Sequence, residues 1–207
     1  MQAGSSRKLR LGIVGSGAGT NYQAIADAIA AGTLDAEVAL VVSDRKDSLI
    51  LQRAKAAGHP VRHIDPGPHR SLFPSAAQQE LCEHLLAARV DLVVLAGFMR
   101  VVKEPLLSAF AGRIINLHPS LLPAHRGLNA VASALAAGDR NAGCTVHYVD
   151  AGVDTGEIIA QATVPIQPGD TESTLAQRIH EAEHRLLPLV IRQFAARTTQ
   201  DAAECGA

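Results

Sequence analysis

From Leu9 to Leu117, short uninterrupted runs of Val, Leu and Ile alternate with stretches in which apolar residues return at helical spacing. An unbroken apolar run between Gly, Asp or Pro suits a strand buried on both faces, and the helical period suits the crossover that joins parallel strands. The pattern predicts strands near Leu9–Val14, Glu37–Val42, Val61–Ile64, Leu92–Ala96 and Ile114–Leu117. It predicts helices at Asn21–Ala31, Ile50–Ala57, Ser75–Ala88, Glu104–Ala109 and Asn129–Ala137, with Gly32, Gly58 and Gly138 as stops just past three of them. These elements make an α/β protein with a doubly wound, mostly parallel sheet and helices on both faces. After Gly143 the pattern changes to two alternating strands, Cys144–Val149 and Glu157–Val164, around a glycine-containing loop, and then a long helix from about Ser173. An antiparallel extension of the sheet is expected there.

No repeat or linker interrupts the chain, so its 207 residues are expected to form a single domain, 1–207, with a core over about 9–196 and flexible ends at 1–8 and 198–207. Hydrophobic residues make up 47% and charged residues 19%, an ordinary globular composition. The net charge of −1 gives no basic footprint for nucleic acid or an anionic membrane, and aromatics at 3% leave little for base stacking. The polar start Met1–Arg10 and the glycine-broken run after it fit neither a signal peptide nor a spanning helix. Three scattered cysteines, Cys82, Cys144 and Cys205, suit a reducing compartment, and a cytoplasmic location is expected. The nine histidines show no ligand spacing, so no metal is expected.

Three segments carry candidate chemistry. The first strand enters Gly15-Ser16-Gly17-Ala18-Gly19-Thr20-Asn21, a turn that offers backbone N–H groups and a helix N-terminus to an anion. A dinucleotide fingerprint requires a third glycine where Thr20 stands, so a single phosphate is the better ligand. Asp44, at the end of the second strand, lies further along than the ribose-binding acid of a dehydrogenase. The fifth strand ends in Asn116-Leu117-His118-Pro119, which sets a carboxamide and an imidazole on one face, aimed at the crevice beyond the strand ends. The loop Asp150–Gly156 carries two acids, of which Asp154 is a candidate partner for His118, while His147 is read as structural.

The chain resembles glycinamide ribonucleotide formyltransferase, with its Rossmann-like formyltransferase fold, from about Leu9 to Phe194. The likeness rests on Gly-Ala-Gly-Thr-Asn at 17–21, Ala-Gly-Phe-Met-Arg at 96–100, Asn-Leu-His-Pro-Ser-Leu-Leu-Pro at 116–123, Gly-Cys-Thr-Val-His at 143–147, Asp-Thr-Gly at 154–156 and Glu-Ala-Glu-His at 181–184. The resemblance implies that Asn116, His118 and Asp154 are catalytic. It implies that Gly19, Thr20 and Asn21 hold the substrate phosphate, and that His180, Glu181, Ala182 and Glu183 line the ribose and glycinamide. The formyl donor 10-formyltetrahydrofolate would be held by Met99, Arg100, Val101 and Val102, by Asn116, and by Asp150, Ala151, Gly152, Val153 and Asp154. Leu122–Pro123 matches a cis-proline turn. Pro74 stands where the family often has an Arg facing the folate tail, which implies weak tail discrimination unless a nearby base such as Arg70 substitutes. Val131 stands where members commonly carry His. The implied reaction moves a formyl group from 10-formyltetrahydrofolate to the amine of glycinamide ribonucleotide in de novo purine synthesis, with small-molecule partners only and a monomer or homodimer as the unit.

In that chemistry Asn116 donates to the oxyanion, and His118, kept protonated by Asp154, donates a proton to the departing folate nitrogen. Formyl-folate hydrolases and methionyl-tRNA formyltransferases share the 116–123 and Asp154 segments, but usually carry a further domain for which this length is expected to leave no room. A nucleotide-sensing module would leave Asn116, His118 and Asp154 unexplained, and a dehydrogenase would bind NAD.

Overall fold

The computed structural model describes residues 7–67 and 73–204, with side chains as far as Thr198. Seven strands form one sheet in the order β3-β2-β1-β4-β5-β6-β7. The strands are β1 (Leu9–Val14), β2 (Ala36–Ser43), β3 (Val61–His63), β4 (Leu92–Leu95), β5 (Ile114–His118), β6 (Asn141–Tyr148) and β7 (Ile158–Pro165). The helices are α1 (Thr20–Ala30), α2 (Leu49–Ala56), α3 (Ser75–Ala87), α4 (Leu106–Ala109), α5 (Ala130–Ala136) and α6 (Glu172–Glu204). Strands β1 to β5 pair in parallel, and β6 and β7 are antiparallel additions. The expected doubly wound sheet with its antiparallel extension is the fold, with β6 beginning at Asn141 rather than after Gly143.

The parallel strands are apolar on both faces because helices cover both. One core gathers Leu11, Ile13, Val41, Ile115 and Leu117 under α1, α2, α5 and α6; the other gathers Val14, Val42, Val93, Leu95 and Ile114 under α3 and α4. Gly32, Gly58 and Gly138 take positive φ just past α1, α2 and α5, the left-handed conformation that ends a helix. The backbone of α6 continues to Glu204, past Thr198 where the composition suggests a frayed tail. Its register places Leu175, Ile179, Ala182, Leu187, Val190 and Ile191 in the first core, and this packing carries the helix through Pro188.

The order reverses between β1 and β4, so a crevice opens at their C-terminal ends. The glycine turn after β1 and the loop after β4 meet there: Ser16 N–H donates to Gly97 O at 3.0 Å, and Met99 N–H to Ser16 Oγ at 3.0 Å.

Candidate active site

In the antiparallel half, side chains alternate cleanly between two different surroundings. Ile115, Leu117, Cys144, Val146 and Val164 face the core under α5 and α6. The opposite face carries Asn116, His118, Thr145 and His147, and the register sets Asn116 across from His147 and His118 across from Thr145. The segments after His118 and after Tyr148 fold over this face and meet where Gly127 N–H donates to Asp154 Oδ2. Ser120 and Thr145 tie the first segment down, since Thr145 Oγ1 donates to Ser120 O at 2.6 Å and accepts from Leu122 N–H at 3.1 Å. The Leu122–Pro123 peptide is cis, as the resemblance implies.

Asp154, in the left-handed region at φ 51°, lies at the centre of the group. Its Oδ2 accepts from Gly127 N–H at 2.9 Å and lies 3.3 Å from His118 Nδ1; its Oδ1 accepts from Asn116 Nδ2 at 3.3 Å. His118 Nε2 donates to His125 O at 2.9 Å, so both of its nitrogens face acceptors, an arrangement that suits the imidazolium. His147 Nδ1 faces Tyr148 O at 2.7 Å and therefore carries a proton. In the neutral ring its Nε2 accepts from Asn116 Nδ2 at 3.1 Å; in the imidazolium it donates toward Asp154 Oδ1 at 3.5 Å. Burial alone would raise the Asp154 carboxyl, but hydrogen bonds from His147 and the Gly127 N–H, with the charges on both histidines, hold it below the ordinary carboxylate value. The result is a carboxylate that stays ionised at neutral pH among donors.

Asn116 and His118 therefore share one face of β5, as the spacing predicts, with Asn116 in mid-strand and His118 as the last residue of the strand. His147, read from the sequence as structural, belongs to the cluster and fixes the Asn116 amide. The signal was available in the register: a strand antiparallel to β5 sets His147 opposite Asn116.

At the crevice, α1 starts at Thr20 behind its N-cap Gly19, whose φ is 72°. An added Cβ on Gly19 would lie 2.6 Å from Ile50 Cα, so glycine is needed for α2 to abut the turn. Arg53 Nε donates to Ala18 O at 3.0 Å and brings a cation to the turn that the sequence did not flag. Asn21 Nδ2 donates to Glu183 Oε2 at 3.0 Å, joining the α1 start to α6. Burial pushes the Glu183 carboxyl up, against the opposing effects of the Asn21 hydrogen bond and the His180 charge. Along α6, His180 and Glu181 are exposed, whereas the Ala182 methyl packs in the core.

Of the segment 99–102, Met99 and Val101 are exposed apolar side chains and Val102 is buried in the second core. Arg100 turns away and pairs with buried Asp44 at 2.7 Å, so Asp44 is an anchor for this loop and not a ribose ligand. Phe98 and Val149 pack against the same core, which places the two expected folate loops, 99–102 and 150–154, along one edge of it. Val153 is exposed beside Asp154. Pro74 caps α3, Arg70 lies outside the described residues, and Val131 packs against the first core. Among the described residues no group of His, Cys, Asp or Glu could hold a metal ion, and no helix is long and apolar enough to cross a membrane.

The formyl transferase family matches residues 9–191. Phosphoribosylglycinamide formyltransferase of Bacillus subtilis is 42% identical over 185 residues, 89% of this chain and 94% of that protein. The trifunctional purine biosynthetic protein adenosine-3 of Drosophila pseudoobscura pseudoobscura is 47% identical over 196 residues, 92% of this chain; the chain spans only 14% of that protein's length. The crystal structure of glycinamide ribonucleotide transformylase 1 from Symbiobacterium toebii has a TM-score of 0.87 at 50% identity, covering 91% of this chain and 88% of that one.

Proposed function

The chain belongs to the formyl transferase family, and we propose that it transfers the formyl group of 10-formyltetrahydrofolate to the amine of glycinamide ribonucleotide, giving formylglycinamide ribonucleotide and tetrahydrofolate in de novo purine synthesis. Its co-substrate is a folate-type formyl donor. The observation that carries the reading is the joined group of Asn116, His118, His147 and Asp154 on the polar face of β5 and β6, beside two loops with exposed apolar side chains. A cytoplasmic enzyme of one domain, working as monomer or homodimer, completes the proposal.

The amine attacks the formyl carbon, its new C–N bond forms, and the carbonyl oxygen becomes an oxyanion. Asn116 stabilises that charge with an amide N–H. Its 3.3 Å bond to Asp154 is long and weak, so the oxyanion takes over that donor. His118 supplies a second donor and protonates the folate nitrogen as its bond to the formyl carbon breaks. The proton lost by the amine returns to the His118–Asp154 pair, which closes the balance. Met99, Val101 and the 150–154 loop, with Asn116, hold the pterin, while Val102 anchors the first of these loops in the core and Arg100 fixes it through Asp44. The amides behind Gly19, Thr20 and Asn21 hold the phosphate, and Glu183 with His180 and Glu181 lines the ribose and glycinamide side, while Ala182 seats this stretch of α6 in the core.

Incubation with both substrates, followed by mass spectrometry, tests this. Formylglycinamide ribonucleotide should form in step with tetrahydrofolate. Release of formate without the amine would point to hydrolysis instead.

A further inference from the structure

A cavity of about 460 Å³ opens between Ser16 and Gly17 of the glycine turn and the segment Arg45–Leu49 that leads into α2. Neither Asn21 nor Glu183, which the proposed reaction uses, is among its lining residues. Ser48, the N-cap residue of α2, makes no side-chain capping bond, and its buried Oγ has no partner among the described residues. Ser48 is only 6% exposed, so this missing partner is not supplied by bulk water. The α2 amides repeat the theme. Ile50 N–H donates to Gly17 O and Gln52 N–H to Ser48 O, which leaves the Leu49 and Leu51 N–H groups without an acceptor among the described residues.

Charge is concentrated at the same place. Arg45 and Lys46 line the cavity against a single exposed carboxylate, Asp47, while Asp44 behind them is committed to Arg100. This is a local excess of cations on a chain whose net charge is −1. A hydroxyl, helix amides and two cationic side chains thus border one cavity, a donor set that suits a dianion with three acceptor oxygens. The volume exceeds what a bare phosphate fills and leaves room for the organic part of an ester.

We propose that this cavity is a phosphate-monoester site, built by Ser48, the first turn of α2, Arg45 and Lys46. Its occupant is a phosphorylated metabolite other than the amine substrate, whose phosphate is held at Gly19, Thr20 and Asn21 in the proposed reaction on which this distinction rests. The test uses inorganic phosphate as the probe, titrated into the isotopically labelled full chain with amide shifts read by NMR. The Leu49 and Leu51 amides should shift and saturate. Ser48→Ala and the double variant Arg45→Gln/Lys46→Gln should each weaken that binding by roughly tenfold or more, the scale of a lost hydrogen bond or ion contact to a charged ligand. Shifts confined to the amides of Gly17 to Tyr22, or unchanged affinity in both variants, would overturn the site. Repeating the titration with glycinamide ribonucleotide at saturation separates this site from the substrate's. Shifts that persist show a distinct phosphate site, and shifts that vanish return the phosphate to the substrate's own site and overturn the proposal.

Discussion

Asp154 and Glu183 are carboxylates of opposite character on one molecule, and the difference lies in what surrounds them. Asp154 is met by N–H donors and cationic rings, which hold it ionised; Glu183 meets one amide and little water, which favours its neutral form. The signs of their contributions to stability follow. For Asp154 the folded value is depressed, so its contribution is present above the unfolded value and is lost only as pH falls through the folded one, below the ordinary carboxylate range. For Glu183 the folded value is raised, so its contribution is complete below the unfolded value and is lost as pH rises through the folded one. Glu183→Gln keeps an acceptor for Asn21 and removes the charge. It should therefore raise the melting temperature at neutral pH, by a stabilisation on the order of 1 kcal/mol, and leave it unchanged near pH 4. Thermal melts of both proteins across that range check this. Equal melting temperatures at pH 7 would mean that the buried carboxylate costs the fold nothing. The raising KM for the amine substrate that the same variant should show belongs to binding and is read separately.

At the scale of elements, the glycine turn shows which glycines serve the fold and which are open to a ligand. Gly19 has positive φ and abuts Ile50, whereas Gly17 has neither constraint and an added Cβ there meets nothing within 4 Å. Gly19→Ala should cost about 1–3 kcal/mol in stability from left-handed strain alone, with the clash against α2 added. Gly17→Ala should change stability by no more than about 0.5 kcal/mol. If phosphate approaches the turn as proposed, Gly17→Ala should still raise KM for glycinamide ribonucleotide and leave KM for the folate near its wild-type value. Chemical denaturation and steady-state kinetics on both variants separate the two roles, and equal KM changes for both substrates would argue against a phosphate at this turn. The sequence announced the turn through its density of glycine but could not rank the glycines, because φ and the position of Ile50 depend on how α2 docks. For the same reason Asp44 was legible as a strand-end acid while its partner Arg100 was not; the pair joins residues 56 apart that only the β2-β1-β4 order brings together.

For the whole molecule, the sheet has two halves with different rules. In the parallel half, buried on both faces, continuous apolar runs located the strands to within a residue or two, and the glycine stops located the helix ends. In the antiparallel half the alternation of polar and apolar residues was visible, yet its meaning was not: the polar face carries Asn116, His118, Thr145 and His147, and becomes a site only when β6 is laid against β5. Asn116, His118 and Asp154 were singled out as candidates through local motifs and family likeness, and the place of His147 beside them was not read because it is set by cross-strand register. Where α6 ends was also illegible, since Thr198–Glu204 is polar and the helix before it is held by core packing. The central claim is that this assembled face performs amine-dependent formyl transfer with Asp154 as its organising charge. The most direct measurement is the steady-state rate of 10-formyltetrahydrofolate consumption, followed by absorbance with and without glycinamide ribonucleotide, for wild type and Asp154→Asn. Consumption by wild type should require the amine, and the variant should lose roughly 10²–10³ in kcat, the scale of a removed transition-state charge contact, with both KM values changed much less. Consumption that proceeds without the amine, or a near-normal kcat in a folded Asp154→Asn protein, would contradict the account.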